Sequence, residues 1–429
     1  MPAERYLSRN FDRPEAGTME GYIALGGYQA ARRALASIAP EALIEMVKES
    51  GLRGRGGAGF PTGMKWSFMP KPGKDDRPRY IACNADESEP GTFKDRAIIE
   101  RDPHQLLEGL ILGGWAMQAR AAYIYIRGEY ARPARILEKA LGEAYAKGFL
   151  GPKVMGKDFS FDIVLHRGAG AYICGEETGL MESLEGKKGQ PRKKPPFPAN
   201  YGLWGMPTTV NNVETFCHVV HIVERGVEWF RGIGTEKSKG NTLFGVSGHV
   251  ARPGLYELPL GTPAREILFE HAGGIAGGRD LKAFIPGGSS TKPLPASLVD
   301  VTMDHEGLAA AGSSLGTAGL IVMDDRTCMV RASKVIAHFY RHESCGQCTQ
   351  CREGTAWLDK LIGRIENGSG KMRDLDVLLD VANQMEGVTI CALSDAAAWP
   401  VQGVLRHWKD EFARHIQEGK CPFPDSFEI

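Results

Sequence analysis

The 429-residue sequence has no uninterrupted apolar run near the ~20 residues that a membrane-crossing helix requires, so no transmembrane helix is expected. Surplus charge of either sign is also missing. Its 52 basic and 52 acidic side chains cancel, which gives no electrostatic case for nucleic acid as a partner. Neither a Gly-x-Ser-x-Gly elbow nor a Walker loop is present, and this lowers hydrolase and NTPase readings. The first ten residues lack the apolar stretch of a secretory signal, and their mixed acids argue against a mitochondrial transit peptide. Cysteine is scarce and uneven: nine residues, an odd number, clustered rather than spread as a disulfide framework. A reducing compartment with metal-bound thiolates is the expectation.

What is present is a globular composition, with 42% hydrophobic and 24% charged residues, and a length that calls for two or three domains. Gly is abundant at 54 residues and concentrated in a few loops, which points to close backbone approach to ligands. Cys345, Cys348 and Cys351 stand in one short run, and Cys391 follows forty residues later. Three thiolates from one loop with a fourth from elsewhere match the ligand count and softness of a 4Fe–4S cubane. Tetrahedral zinc accepts four sulfurs as well and stays open as the competing reading. Cys83, Cys174, Cys217, Cys328 and Cys421 have no ligand spacing and read as small core residues. The eleven histidines show no pattern that calls for a metal.

Strand and helix signals alternate through the first half. Residues 1–35 read as an irregular or partly helical lead-in, and a helix from Pro40 to Ser50 stops at Gly51. Strands are expected at Arg79–Asn84, Ala121–Arg127 and Phe161–His166. Helices are expected over His104–Gln118, Ile136–Ala146 and from near Asn212 to about Gly226. That alternation predicts a parallel α/β sheet covered on both faces. Lys237–Asn241 reads as a linker. Strands at Thr242–Val246, Gly254–Leu258, Lys282–Ile285 and Gly319–Met323, with a helix over Pro263–Ala272, predict a small ββα-type module. From Ser333 onward the pattern is helical, interrupted by the cysteine loop.

Gly54-x-Gly56-x-x-Gly59 matches the dinucleotide fingerprint as a string, but a helix precedes it where the fingerprint needs a strand. Phe60, Lys65 and Phe68 follow closely, offering flat apolar faces and a cation beside exposed amides. Those groups suit a heteroaromatic ring with a phosphate tail. The second loop, Arg167 to Gly175, sits between a strand and a helix, the position a nucleotide site takes. Glu176 and Glu177 at that helix start either hydrogen-bond a ring or sugar, or cap the helix dipole. Asp86, Glu87 and Glu89 after the first strand are site acids or a solvated loop. The run Lys187, Lys188, Arg192, Lys193, Lys194 reads more readily as a solvated loop than as a phosphate clamp, with Phe197 beside it as a stacking candidate.

Taken in order, these segments resemble the NADH- and flavin-binding subunit of respiratory complex I, the bacterial F type. The resemblance rests on residues 51–63, Lys65-Trp66, Asn84 to Gly91, Gly168 to Glu177, Pro207 to Thr215 and the cysteine segments. It implies an α/β fold in three parts: a Rossmann-like flavin/NADH domain with its lead-in over 1–236, a ubiquitin-like β-grasp domain over 237–332, and a helical 4Fe–4S domain over 333–429. FMN contacts carried over by position are Gly54, Arg55, Gly56, Gly57, Lys65, Asn84, Asp86, Glu87, Ser88, Tyr172, Gly175, Asn211 and Asn212. Phe60, Phe68, Glu89, Glu176, Glu177 and Phe197 line the NADH side, and Cys345, Cys348, Cys351 and Cys391 hold the cluster.

The implied activity is hydride transfer from NADH to FMN, then single-electron transfer to the cluster, with no catalytic acid or base for the hydride step. The implied partners are a thioredoxin-like 2Fe–2S subunit and a large multi-cluster subunit, joined indirectly to a membrane-embedded quinone-reducing arm. The implied location is peripheral, on the cytoplasmic side of a bacterial inner membrane. One departure is visible: Gln350 stands where the family usually has proline before the third cysteine, which predicts a tuned rather than an absent cluster. Two other readings stay open: a diaphorase subunit of an NAD-linked hydrogenase or formate dehydrogenase, and a nonenzymatic, zinc-stabilised assembly subunit.

Overall fold

Tyr80–Ala85 (β1), Ala121–Ile126 (β2), Asp162–Arg167 (β3) and Thr208–Asn212 (β4) form a four-stranded, all-parallel sheet in the order β3-β2-β1-β4. Apolar and aromatic residues fill β1 and β2, as strands covered on both faces require. These observations come from a computed structural model that describes residues 4–423. β4 carries no such apolar run (Thr-Thr-Val-Asn-Asn), which is why the sequence pattern does not announce it. It nonetheless extends the sheet beside β1 and reverses the strand order there, leaving a switch point at the carboxyl ends of β1 and β4.

The chain divides into two compact units. The first comprises residues through Ser88, Phe93–Leu243 and Glu257–Gly261; the second comprises Glu89–Thr92, Phe244–Tyr256 and the residues from Thr262 onward. The first unit's helices are Met19–Ala24 (α1), Gln29–Ser37 (α2), Pro40–Glu49 (α3), Thr62–Ser67 (α4), Lys94–Arg101 (α5), Pro103–Met117 (α6), Ala131–Ala146 (α7), Glu177–Leu184 (α8), Val213–Arg225 (α9) and Val227–Arg231 (α10). α6 is buried along nearly its whole length and lies against α9. A Cβ added at Gly109 would stand 2.3 Å from the Phe216 carbonyl oxygen, so glycine is what lets the two backbones approach.

The lead-in is more ordered than its weak periodicity predicts, because its ends are capped from afar. Glu108 of α6, buried, accepts from Tyr22 Oη (2.7 Å), Tyr28 N (2.8 Å) and Ala31 N (3.0 Å), which fixes the start of α2. Glu257 accepts from the amides of Tyr6, Leu7 and Ser8 and from Asn241 Nδ2. The stretch Lys237–Asn241 is not a solvated linker. Ser238 and Asn241 are buried, and Tyr6 Oη accepts from the Asn241 amide.

A mixed sheet, most of its residues in the second unit, is formed by Asn241–Gly248 (β5), Gly254–Pro259 (β6), Leu281–Ile285 (β7), Leu294–Pro295 (β8) and Gly319–Asp324 (β9). Its order is β6-β5-β9-β7-β8, with β5 and β9 parallel and β7 antiparallel to both β8 and β9. A first strand paired in parallel with the last, hairpins outside, is the ubiquitin-like β-grasp arrangement. The division between the units runs through β5 and β6. The expected helix over Pro263–Ala272 is a shorter, π-type segment, Glu266–His271. After the short helix His305–Ala310 (α11), four helices pack into a bundle: Met329–Glu343 (α12), Thr349–Glu366 (α13), Arg373–Met385 (α14) and Leu393–Glu418 (α15). Inside it the buried Asp359 pairs with Lys334 and Arg341. Among the described residues, no helix is long and apolar enough to cross a membrane.

Candidate active site and metal centre

The carboxyl ends of β1 and β4 bring two asparagines side by side, since Asn84 pairs in register with Asn212. Asn84 Nδ2 donates to the Gly175 carbonyl (2.7 Å), and its Oδ1 accepts from the Asp86 amide (3.0 Å). A Cβ at Gly175 would lie 3.2 Å from the Asp86 carboxylate, so the acidic loop and the second glycine loop meet here. Ser88 Oγ donates to Asp86 (3.2 Å). Asn211 Oδ1 accepts from the buried Trp66 indole (2.8 Å), which seats α4 on β4. Tyr172 and Gly175 lie in a short 3-10 turn leading to α8.

The first glycine loop closes on itself: Gly54 N donates to the Phe60 carbonyl (2.9 Å), and Thr62 N to that of Leu52 (2.9 Å). Gly57 (φ +117°) and Gly59 (φ +63°) take conformations that favour glycine. Helices flank the loop on both sides, so the fingerprint string is not a Rossmann turn. Arg55 is buried, and its guanidinium donates to the carbonyls of Arg53, Lys239 and Asn241; that side chain fastens the loop. Gly56 passes close to β4, where a Cβ would stand 3.2 Å from Asn212 Cβ.

Two of the acids turn inward. Glu87 is buried and accepts from the amides of Asp95 (2.8 Å) and Arg96 (2.9 Å) at the start of α5 and from Tyr130 Oη (3.0 Å). Burial and the neighbouring Asp95 push its carboxyl up. Glu176 caps α8, accepting from Thr178 N (2.7 Å) and Gly179 N (2.9 Å), the dipole-capping alternative for that position. Glu177 does something else. Burial alone would raise its carboxyl, yet Lys65 at 2.9 Å and Lys194 hold it down at about 2. The basic loop is therefore not simply solvated: Lys194 joins Glu177 and Arg192 pairs with Glu182 and Glu185.

Phe60, Phe68 and Phe197 are 44%, 53% and 56% exposed, and the Phe60 and Phe68 rings lie 6.2 Å apart. Large apolar rings left in water beside a loop of backbone amides fit a flat ring system with a phosphate tail. Glu89 belongs to the second unit, where it accepts from Ser290 N (2.7 Å). Sequence reasoning missed Lys94. It is buried, lies 2.8 Å from Asp95 and 2.9 Å from Glu214, and donates to Asn212 Oδ1 (3.1 Å). No local pattern marks a lysine whose partners are 1 and 120 residues away.

In the bundle, Cys345 and Cys348 lie in the α12–α13 loop and Cys351 in the first turn of α13. Cys391 precedes α15 by two residues. Burial, with Cys345 and Cys348 adding to it, pushes the Cys351 thiol up, and Ser344 Oγ lies 3.2 Å from its sulfur. Four soft donors, three of them from one loop and helix start, fit an iron–sulfur cubane. Gln350 is exposed in the first helical turn, a position where proline is also tolerated. Cys83, Cys174 and Cys217 are buried, as expected of core residues. Cys328 and Cys421 depart from that reading: α12 and α15 bring them together with His415, all three donor atoms within 4.8 Å of one another.

Fold and site together define a nucleotide-binding α/β protein coupled to a β-grasp domain and a cysteine-bearing helical bundle. Residues 47–221 match the Nuo51 FMN-binding domain, 243–293 the SLBB domain, and 331–415 the NADH-ubiquinone oxidoreductase-F iron–sulfur binding region. An NADH-quinone oxidoreductase F subunit (number 2) of Rhizobium meliloti (strain 1021) is 54% identical over 98% of this chain and 99% of its own. The NADH-quinone oxidoreductase F subunit of Mycobacterium bovis is 51% identical over 98% of this chain and 96% of its own. A chain of an NAD+-reducing [NiFe]-hydrogenase, 37% identical, superposes with a TM-score of 0.82 over 97% of this chain and 67% of its own.

The chain belongs to the family of NADH-quinone oxidoreductase F subunits. It is an NADH dehydrogenase component of a multi-subunit complex, with FMN and a 4Fe–4S cluster as cofactors.

Proposed function

We propose that the first unit holds FMN at the carboxyl ends of β1 and β4 and takes NADH against its exposed aromatic rings. The observation that carries this reading is the Lys65–Glu177–Lys194 cluster, which ties the helix after the first glycine loop to the helix after the second. When bound, FMN takes two electrons from NADH as a hydride and releases them singly, as a 4Fe–4S cluster requires.

The protein's part is positioning. The Gly54 and Arg55 amides are held by the Phe60 carbonyl and Thr215 Oγ1 and fix the loop, so that the amides of Gly56 and Gly57 offer donors to a phosphate tail, and Lys65 supplies positive charge beside them. Asn84, Asp86, Ser88, Asn211 and Asn212, with the main chain at Glu87, Tyr172 and Gly175, offer polar partners to a ring and ribityl chain. Phe60, Phe68 and Phe197 supply stacking faces and exclude water; Glu176 and Glu177 present acceptors to ribose or carboxamide. Their negative charge favours NADH over a 2′-phosphorylated nucleotide. Cys345, Cys348, Cys351 and Cys391 are the cluster ligands.

In this reading residues 1–236 bind flavin and nucleotide, 237–332 form the β-grasp domain, and 333–429 carry the cluster. A chain with one cluster must hand electrons on, so the partners are a thioredoxin-like 2Fe–2S subunit and a larger multi-cluster subunit. Through them the chain sits peripherally, on the cytoplasmic side of a bacterial inner membrane. The test is an anaerobic absorption spectrum before and after NADH. A flavin band that bleaches within mixing, over a broad iron–sulfur shoulder, is expected. A flavin band unchanged by NADH would overturn the proposal.

A further inference from the structure

Cys328, His415 and Cys421 come from three distant places: the N-cap of α12, the last turns of α15, and the chain beyond α15. We propose that they form a second metal site, a Cys2His site for Zn2+, separate from the four cluster cysteines.

The histidine is set up for it. The Glu411 carbonyl oxygen lies 2.8 Å from His415 Nδ1, and a carbonyl only accepts, so Nδ1 carries the ring proton. The lone pair is left on Nε2, which lies 3.3 Å from Cys328 Sγ. A backbone carbonyl behind a ring whose other nitrogen faces a thiol is the supporting contact that fixes a metal-binding imidazole. The Cys328 thiol donates to Nε2; a bound Zn2+ would take the place of that proton, and the thiol protons of Cys328 and Cys421 would both pass to solvent.

The spacing agrees. Tetrahedral bonds of about 2.3 Å to sulfur and about 2.0–2.1 Å to nitrogen put sulfur and nitrogen about 3.6 Å apart and two sulfurs about 3.8 Å apart. The three donors already lie within 4.8 Å of one another, so small side-chain shifts suffice. Cys328 and His415 are buried, and the Arg331 amide donates to Cys328 Sγ (3.4 Å). Cys421 is partly exposed and gives the ion a way in. Two thiolates neutralise a divalent ion, and three protein ligands leave the fourth position to water. Bound zinc would fasten the chain after α15 to the start of α12.

The test uses the whole protein with its cofactors, reduced, stripped with a mild chelator and then given one equivalent of Zn2+. Zinc K-edge absorption should show two sulfurs and two lighter ligands, and metal analysis should show stoichiometric zinc beside unchanged iron. Cys421→Ser and His415→Gln should each weaken zinc binding at least ~100-fold while FMN and iron contents hold. An all-sulfur zinc shell, undiminished binding in both variants, or no zinc uptake by the reduced protein would overturn the proposal.

Discussion

Lys65 Nζ lies 2.9 Å from the Glu177 carboxylate, and Lys194 reaches the same carboxylate from the proline-rich loop. One acid thus joins three segments, one of them 112 residues before it and one 17 residues after it. Lys194 also reaches Glu176, so two lysines face two carboxylates.

Glu177→Gln removes the shared acceptor and the charge that opposes a 2′-phosphate. The expectation is a several-fold higher KM for NADH and a narrower gap between NADH and NADPH. Steady-state kinetics with both nucleotides check it; unchanged values for both would remove Glu177 from the nucleotide site.

The same carboxylate has an acid signature. Its folded-state value, about 2, lies below the ordinary 4.5, so its contribution is complete above about pH 4.5 and is lost as pH falls toward 2. The side chain is a quarter exposed, which trims that contribution to about 1–2 kcal/mol. Urea unfolding of wild type and Glu177→Gln should therefore differ more at about pH 6 than at about pH 3.5.

Cys348→Ala should abolish the cluster's EPR signal while NADH still bleaches the flavin. A retained cluster signal would refute the ligand assignment.

Gly109→Ala places a methyl 2.3 Å from a backbone oxygen that cannot swing aside, since α9 carries it. The cost should be about 1–3 kcal/mol, seen as a lower Tm. Gly142→Ala on α7 has nothing within 4 Å of the added Cβ and should be neutral or stabilising by about 0.5–1 kcal/mol. Equal Tm changes in the two variants would contradict this packing account.

Much of the α/β order was legible, because β1 and β2 are apolar runs, β3 carries Ile163, Val164 and Leu165 together, and helical periodicity separates them. Their observed bounds differ from expectation by a residue or so. α9 begins and ends as its residues predict, with the Asn212 side chain accepting from the Glu214 amide and Gly226 closing it. β4 was not legible, since Thr-Thr-Val-Asn-Asn has no strand pattern of its own and gains its place from pairing with β1. The lead-in helices were obscured for a similar reason: the carboxylates that cap and anchor them, Glu108 and Glu257, lie far along the chain.

By itself the sequence determined the chemistry available here: which loops are rich in backbone amides, which aromatic and acidic groups follow them, and which thiols stand at ligand spacing. Those are properties of residue type and short spacing, and they hold before any fold is formed. Only the tertiary structure decided how the groups are used. It turned Glu87 and Arg55 inward as fasteners, made Glu177 the shared partner of two lysines, and gathered Cys328, His415 and Cys421. Burial and long-range pairing assign such roles, and neither is written in a window of neighbouring residues.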